Sequence, residues 1–321
     1  MIRTPLTEMF RLRHAIVLGA MGSVSGGRLA AAVSNAGGLG VVGGGYGEKS
    51  RLRAELEHVR QETSQPWGVG LITWSIEREV LDLALSFRPS AFLLSFGDPR
   101  PHADAIKAAG CKLICQVQDL GQARIARDAG ADVIVAEGKD AGGHSGLRGT
   151  LSLVPAVVDA VAPVPVLAAG GIADGRGVAA ALMLGAAGVL MGTRFYASTE
   201  AQGHPEAKRR IVESSGDNTA RTRVFDIVRN YSWPDENPGR ALRNRFFERW
   251  HGRESELARN IEKEMSAYQA AAQAGDFDTA VIWASEAIDL IHGIESAAAI
   301  IERISAEAET LLRAAPDRLR S

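Results

Sequence analysis

Short apolar runs alternate with amphipathic stretches along the first 200 residues of the chain. The runs are rich in β-branched residues and are bounded by glycine or polar residues, which is the pattern of buried strands. The eight predicted strands are Ala15–Leu18, Leu39–Val42, Gly68–Ile72, Ala91–Ser95, Lys112–Val117, Val133–Ala136, Val164–Ala168 and Gly188–Met191. Because the runs are apolar along their whole length, they indicate a parallel sheet that is covered on both faces.

The stretches between the strands carry apolar residues at helical spacing. The helices predicted there are Arg28–Ala36, Glu48–Glu62, Ile76–Ser86, Ala103–Ala109, Leu120–Ala129, Leu153–Val161 and Arg176–Leu184. Eight strand–helix units are the number that closes a barrel. The predicted fold class is therefore α/β, a (β/α)8 TIM barrel, and an open doubly wound sheet is the alternative.

The character of the chain changes after Phe195. The residues that follow lose the strand pattern, and Ala and Glu at helical spacing dominate towards the C-terminus. We therefore predict a barrel at residues 1–200 and a helical, substrate-side subdomain at residues 201–296, inserted after the eighth strand. A last amphipathic stretch near residues 297–313 is expected to return and complete the barrel as its eighth helix.

The chain is close to electrically neutral. It has 36 Lys and Arg against 38 Asp and Glu, so no field of one sign would attract nucleic acid or an anionic membrane. The N-terminus lacks the apolar core of a signal peptide, and no run reaches the roughly 18 apolar residues of a membrane span. Cys111 and Cys115 fit buried thiols better than a disulfide or a metal site. We expect a cytoplasmic protein without nucleic-acid, membrane or metal partners.

Two glycine turns carry the strongest chemical signal. Gly170 and Gly171 follow the predicted seventh strand, and Gly192 and Thr193 follow the eighth. The C-terminal ends of barrel strands are where active sites are built. Glycine lets the backbone approach a ligand closely, and the following helix presents its positive end to an anion. The turns therefore predict a phosphate site, with plain turns that need positive φ as the alternative.

The loop after the predicted sixth strand, Glu137–Gly146, is too long for a simple connection. It places His144 among glycines at the same rim of the barrel. A histidine there can act as a base or as a hydrogen-bond donor near neutral pH, and a plain surface histidine is the alternative. The turn after the first strand, Gly19–Gly27, is rich in small residues, so a flat ring could lie against its backbone.

These segments together resemble the nitronate monooxygenase family, formerly called 2-nitropropane dioxygenases, which are FMN-dependent barrels. The resemblance covers nearly all of residues 10–230 and includes the stretch Thr222–Asp226. Its other matching segments are Ala31–Gly40, Ala141–His144, Ala168–Ile172 and Met191–Phe195. The Ala-Gly-Gly-His loop, in order with both glycine turns, is shared with the related flavin enoyl reductases.

The resemblance implies FMN as the cofactor and His144 as the catalytic residue. The implied cofactor-binding residues are Ala20, Met21, Gln116, Gly142, Gly143, Gly170, Gly171, Gly192 and Thr193. The last four would hold the FMN phosphate, the first two would lie against the isoalloxazine ring, and Gln116 would form a hydrogen bond with the flavin. His144 would face the substrate above the ring.

The implied activity is the oxidation of alkyl nitronates and nitroalkanes with O2. His144 would stabilise the anionic substrate or remove the α-proton of a neutral nitroalkane. Two alternatives are a flavin-dependent enoyl-thioester reductase that uses NAD(P)H and a non-catalytic flavin-binding barrel. The partners expected are a small-molecule substrate and O2, and a homodimer is considered as the assembly.

The chain departs from the family pattern at two places. It has Gly19-Ala20-Met21 where the family commonly has Ala-Pro-Met, a change that a contact through the backbone should tolerate. Its loop carries Asp140 and Ser145 at positions where the family often has Glu and Arg or Thr. The segment after residue 230 is more divergent and would shape the substrate pocket, so the resemblance defines the cofactor better than the substrate.

Overall fold

The computed structural model describes residues 2–316. The strands in this part of the chain are β1 (Ile16–Leu18), β2 (Gly40–Gly43), β3 (Trp67–Ile72), β4 (Ala91–Ser95), β5 (Lys112–Val117), β6 (Val133–Glu137), β7 (Gly143–His144), β8 (Val166–Ala169), β9 (Gly188–Met191), β10 (Thr219–Thr222) and β11 (Gly239–Leu242). The helices are α1 (Pro5–Phe10), α2 (Gly27–Asn35), α3 (Lys49–Glu62), α4 (Arg78–Ser86), α5 (Arg100–Ala108), α6 (Leu120–Asp128), α7 (Thr150–Val161), α8 (Gly175–Met183), α9 (Thr193–Tyr196), α10 (Pro205–Glu213), α11 (Val224–Val228), α12 (Arg245–Trp250), α13 (Glu254–Arg259), α14 (Ile261–Ala274) and α15 (Ala297–Ala314).

Eight parallel strands form a closed barrel, and β7, β10 and β11 form a separate small sheet. Their order is β1-β9-β8-β6-β5-β4-β3-β2 in the barrel, and each strand is parallel to its neighbours in this order. A parallel bridge between Val17 and Leu39 joins the two ends of this sheet. The N–H of Leu18 donates to the carbonyl of Leu39, and the N–H of Leu39 donates to Ile16, both at 2.9 Å. The predicted (β/α)8 TIM barrel is confirmed, and the open doubly wound sheet is excluded.

The predicted strand bounds differ most at the seventh barrel strand, β8. It begins at Val166, whereas the sequence pattern placed its start at Val164. Pro165 explains the difference, because proline has no N–H to donate to a strand ladder. At the sixth barrel strand the structure adds Glu137 to the predicted end, which places this carboxyl at the rim of the barrel.

Side chains inside the barrel form one core, and those between strands and helices form another. Alternation along β4 shows the division, since Leu93 belongs to the interior cluster and Phe92 to the outer one. Leu6 and Phe10 of α1 join the interior cluster. The short helix α1 therefore packs against the N-terminal end of the barrel, opposite the rim where the glycine turns lie. The sequence analysis did not predict this helix.

The segment 201–296 contains two short strands as well as helices. β10 and β11 pair antiparallel, and β11 also pairs antiparallel with β7, the strand that carries His144. The sequence pattern missed both strands of this segment. β10 is half-buried and polar, with the sequence Thr-Ala-Arg-Thr, and β11 is a four-residue strand with glycine and arginine at its start, Gly-Arg-Ala-Leu. Phe225, Phe246 and Trp250 belong to a separate apolar cluster in this segment.

The helix α15 lies against α8 and α2 on the outside of the barrel. Ile300 and Ile304 are fully buried on its inner face, and Glu307 accepts a hydrogen bond from the N–H of Gly175 at the start of α8 (2.8 Å). Among residues 2–316, no helix is both long and apolar enough to cross a membrane.

Candidate active site

One cavity of about 430 Å³ opens at the C-terminal ends of the barrel strands. It collects every site residue that the sequence analysis named, although these residues come from five separate segments of the chain. The predicted residues on its wall are Ala20, Met21, Gln116, Gly142, Gly143, His144, Gly170, Gly171, Gly192 and Thr193.

The glycine end of the cavity, defined here as Gly170, Gly171, Gly192 and Thr193, is made of backbone. Gly170 and Gly171 adopt φ values of 95° and 72°, a left-handed conformation that other residues rarely take. A Cβ atom at Gly171 would lie 3.1 Å from the Cβ of Asp140. Among the described residues, no group accepts a hydrogen bond from the N–H of Gly171, Gly192 or Thr193. This end therefore offers free N–H donors to an anion.

Two further loops approach the glycine end closely. A Cβ atom at Gly19 would lie 3.1 Å from the Cα of Gly192, which brings the turn after β1 against the turn after β9. A Cβ atom at Gly142 would lie 2.8 Å from the hydroxyl oxygen of Thr193. These glycines allow the first turn and the His144 loop to pack beside the N–H donors without a gap.

A buried carboxyl forms part of the cavity floor. Glu137 Oε2 accepts hydrogen bonds from the side-chain amides of Gln116 (2.9 Å) and Gln118 (3.1 Å). Burial raises the pKa of Glu137 to about 8, while the two amide hydrogen bonds and the charge of Arg221 act in the opposite direction. Glu137 is therefore mostly protonated at neutral pH. The sequence analysis did not select it, although a glutamate that ends an apolar strand was a usable signal.

His144 forms a buried pair with Asp226. Its Nε2 lies 2.9 Å from Asp226 Oδ1, and both side chains are almost fully buried. Burial lowers the pKa of His144 below the ordinary value, and this effect is only partly offset by the hydrogen bond and charge of Asp226. The imidazole is therefore neutral near pH 7. Asp226 lay within a matched stretch of the sequence, but nothing in the sequence showed that it meets His144.

We define the aromatic wall as Tyr46, Phe96, Tyr231 and Trp233. The Trp233 ring stacks on His144 with ring centroids 3.4 Å apart and an interplanar angle of 4°. Its Nε1–H donates to the Tyr46 hydroxyl at 2.9 Å, and Tyr46 stacks on Tyr231 at 3.7 Å. Burial raises the pKa of Tyr46 to about 12, so its hydroxyl stays neutral. The wall encloses the side of the cavity that holds His144.

Phe96 is held in an unfavourable backbone conformation at this wall. Its φ is 60°, in the left-handed region that bulky residues rarely adopt, and Gly97 follows it. Such a residue costs on the order of 1–3 kcal/mol and persists where the surrounding structure fixes it. The Phe96 ring packs edge to face against Trp233, with the ring centroids 4.8 Å apart. The backbone conformation of Phe96 thus places its ring in the aromatic wall. The sequence analysis did not name Phe96 or Trp233.

The comparisons with known proteins identify one family over nearly the whole chain. The family model described as nitronate monooxygenase matches residues 3–79 and 72–307. A protein of Mycobacterium tuberculosis (strain ATCC 25618 / H37Rv), named (3aS,4S,5R,7aS)-5-hydroxy-7a-methyl-1-oxo-octahydro-1H-indene-4-carboxyl-CoA dehydrogenase, is 37% identical over 254 residues, which cover 77% of this chain and 68% of that protein.

Two solved structures are similar over almost all of the chain. FabK from Thermotoga maritima has a TM-score of 0.89 at 34% identity, with 99% of this chain and 100% of that chain covered. The nitroalkane oxidase from Streptomyces ansochromogenes has a TM-score of 0.82 at 28% identity, with 97% of this chain and 100% of that chain covered.

Proposed function

The chain belongs to the nitronate monooxygenase family and is therefore a flavin-dependent oxidoreductase, and we propose that it oxidises alkyl nitronates and nitroalkanes with FMN and O2. One observation carries this proposal. A single cavity contains both a set of free backbone N–H donors at Gly171, Gly192 and Thr193 and a buried, neutral histidine paired with Asp226. The first suits a cofactor phosphate, and the second suits a proton acceptor beside it.

The residues of the glycine end fit the phosphate of FMN. Backbone N–H groups at the start of a helix are favourable partners for a phosphate dianion, and α8 begins directly beyond this end at Gly175. Ala20 and Met21 would lie against the flavin ring, and Gln116 would form a hydrogen bond with it. When bound, FMN would supply a ring that accepts electrons from the substrate and returns them to O2.

His144 has the protonation state that a base needs. Since Nε2–H donates to Asp226, Nδ1 is the nitrogen that can accept a proton, and no described residue occupies it. For a neutral nitroalkane, Nδ1 would take the proton from the α-carbon. For a nitronate, which has already lost that proton, His144 would stabilise the anion only when Nδ1 is protonated and can donate a hydrogen bond to it.

Asp226 would act as a positioning residue. It fixes the tautomer of His144 and stabilises the imidazolium that forms when Nδ1 accepts a proton. Asp226→Asn keeps the shape of the pair and removes its charge. We expect kcat for a neutral nitroalkane to fall by about 10²-fold or more. Because the variant also removes the charge that raises the pKa of His144, the acid limb of its pH–rate profile should move to lower pH.

We assign the division into a barrel at residues 1–200 with the last helix, and an insert at residues 201–296, as part of the same proposal. The insert supplies Trp233 and Trp283 to the cavity wall and Asp226 as the partner of His144. It would thus shape the substrate side, while the barrel supplies the proposed FMN site.

The visible spectrum of the purified protein tests the cofactor, and O2 uptake with a nitronate tests the reaction. We expect flavin absorption bands, release of a phosphate-bearing flavin on denaturation, and O2 consumption that requires the substrate. A colourless protein that FMN cannot reconstitute would contradict the proposal. His144→Asn is the paired variant, because unchanged turnover of nitroalkane and nitronate in it would leave His144 without a chemical role.

A second candidate is a flavin-dependent enoyl-thioester reductase. The dehydrogenase of M. tuberculosis, whose name describes a CoA derivative as its substrate, favours it. NAD(P)H oxidation that depends on an enoyl thioester, together with no turnover of nitronates, would establish this candidate. The opposite result would establish the first.

A further inference from the structure

Arg229 is a cation on the cavity wall that has no part in the chemistry described so far. It lies at the C-terminal end of α11 and lines the cavity. Within residues 2–316 its guanidinium forms no hydrogen bond and no ion pair, and its Nη1 atom is buried without a partner. A partly buried charge that is left unpaired costs free energy, so its surroundings favour an incoming anion.

Two rings of the aromatic wall hold this guanidinium in place. Its central carbon lies 4.7 Å from the centroid of the Tyr231 ring and 5.9 Å from that of the Tyr46 ring. The two rings stack on each other at 3.7 Å. A guanidinium above a ring is attracted to the ring, yet its N–H groups lie in its own plane and stay available. The rings therefore position the cation without using its donors.

Arg229 lies on the same side of its helix as the partner of His144. Asp226 and Arg229 are three residues apart at the end of α11, and residues at this spacing are neighbours on a helix surface. Asp226 contacts His144 Nε2 at 2.9 Å. Burial is the main cause of the lowered pKa of His144, and the nearby charges of Arg229 and Arg221 act in the same direction. The proposed base and the unpaired cation thus adjoin the same part of the cavity.

The other ionisable groups of the cavity wall do not offer a free positive charge. Arg51 is the second cation there, and its Nη2 already donates to a backbone carbonyl at 2.6 Å. His144 is neutral near pH 7, and Glu48 and Glu137 carry carboxyl groups. Arg229 is therefore the one unpaired cation that residues 2–316 present on this wall.

A nitronate is the kind of anion that a guanidinium matches. It shares its negative charge between two oxygens on one planar nitrogen, as a carboxylate shares its charge between two oxygens on one carbon. The fork of N–H groups in arginine can donate to both oxygens at once, which a single ammonium group cannot do with the same geometry.

We propose that Arg229 binds the two oxygens of the nitronate group and is a second catalytic residue beside His144. This inference rests on the proposed function. A nitronate substrate makes the contact as soon as it binds. A neutral nitroalkane makes it only as His144 Nδ1 takes the α-proton, because the electron pair of the broken C–H bond then moves onto the nitro oxygens.

Arg229→Gln tests the proposal with ethylnitronate and nitroethane, neither of which carries a second charged group. With ethylnitronate, KM should rise by about 10- to 100-fold and kcat should change little, because the contact is lost from bound substrate and transition state alike. With nitroethane, kcat should fall by a similar factor while KM changes little, because the charge appears only in the transition state. A general disturbance of the site would not divide the two constants in this way.

Arg229→Lys keeps the charge without the fork and should recover part of each loss. Arg223→Gln is the matched control, because Arg223 begins the same helix but pairs with the exposed Asp235 and does not line the cavity. It should leave both constants unchanged. Unchanged constants in Arg229→Gln overturn the proposal. Loss of flavin from Arg229→Gln also overturns it, since the cation would then serve the cofactor.

Propionate binding gives a readout that needs neither turnover nor flavin. Propionate presents a planar pair of oxygens like that of a nitronate, and quenching of tryptophan fluorescence reports its binding because Trp233 lies in the adjoining wall. The Kd should be about 10- to 100-fold higher in Arg229→Gln than in the unmodified protein, and equal values contradict the inference. If the protein holds no FMN and turns over no nitronate, the proposed function fails. The propionate titration then still decides whether Arg229 is an anion site.

Discussion

The two ends of the cavity are built in opposite ways. The glycine end consists of backbone N–H groups in two turns that directly follow β8 and β9. The aromatic wall and His144 consist of side chains from segments far apart in the sequence, such as Tyr46, Phe96 and Trp233. A backbone site depends on the absence of Cβ atoms, whereas a side-chain site depends on particular rings and on what holds them. The two ends should therefore respond to different substitutions.

The largest effect is expected at the glycine end, from Gly171→Asp. The new carboxylate would stand beside Asp140 and in the proposed phosphate site. Two like charges about 4 Å apart cost about 4 kcal/mol at an effective dielectric constant of 20, which is roughly a 10³-fold loss of FMN affinity. Flavin content after purification measures it.

Gly110→Asp is the matched control for this variant. Gly110 also has a positive φ, 77°, and open space around it, but it lies at the opposite end of the barrel. The control should keep its flavin. Equal flavin loss in both variants would mean that backbone strain, rather than the phosphate site, explains the effect.

At the other end, His144→Ala should separate the two proposed uses of the histidine. Loss of a general base costs about 10²–10⁴-fold, so kcat with a neutral nitroalkane should fall by that amount. A nitronate needs no proton removal, and its turnover should fall much less. His102→Ala, on α5 away from the cavity, is the control and should leave both activities unchanged. An equal fall in turnover of both substrates would show that His144 does not act as a base.

A smaller effect is expected from Trp233→Ala. The stacked ring limits the space beside His144, so its removal should shift the substrate preference towards nitronates with longer alkyl chains. We expect a shift of about tenfold for chains that differ by one to two methylene groups. Tyr46→Phe removes the hydrogen bond to Trp233 Nε1 but keeps both rings, and it should shift the preference little. The ratio of kcat/KM values for a short and a long nitronate measures the change. A constant ratio would show that the wall does not set substrate size.

The last effect concerns the stability of the protein rather than its activity, and it depends on Glu137, which lines the same cavity. Its pKa in the folded chain, about 8, is above the ordinary value of 4.5, so folding binds a proton between these pH values. Stability is therefore lost as the pH rises from about 4.5 to 8, at about 1.4 kcal/mol per pH unit. Glu137→Gln should lack this slope. Denaturant unfolding of both flavin-depleted proteins at pH 5.5 and 7 measures the change in the free energy of unfolding. An equal change in the unmodified protein and in Glu137→Gln would contradict the raised pKa of Glu137.

The sequence predicted the barrel well because strand and helix periodicity are local properties. The bounds of β4, β5 and β9 agree with the prediction, and the glycine end could be read from consecutive residues. Ten residues of the site were named in advance and all line one cavity. The helix α1 was missed because its apolar residues are few and face the barrel end.

The side-chain end of the cavity could not be read from the sequence. The contact of His144 with Asp226 joins residues 82 positions apart, and the hydrogen bond of Trp233 to Tyr46 joins residues 187 apart. No periodicity encodes such distances. The raised pKa of Glu137 was equally hidden, because it arises from burial by the closed barrel rather than from neighbours along the chain.

The pairing of β7 with β11 has a consequence for how this enzyme could be altered by recombination. His144 is attached to the barrel by its loop, but the register Gly239–His144 ties its strand to the segment that also contains Asp226 and Trp233. One contiguous stretch of gene, coding for residues 219–242, thus encodes the strand that pairs with β7, the carboxylate that contacts His144 and the ring that stacks on it. Hybrids that exchange this stretch between related barrels would transfer the surroundings of the base as a unit and leave the glycine turns untouched.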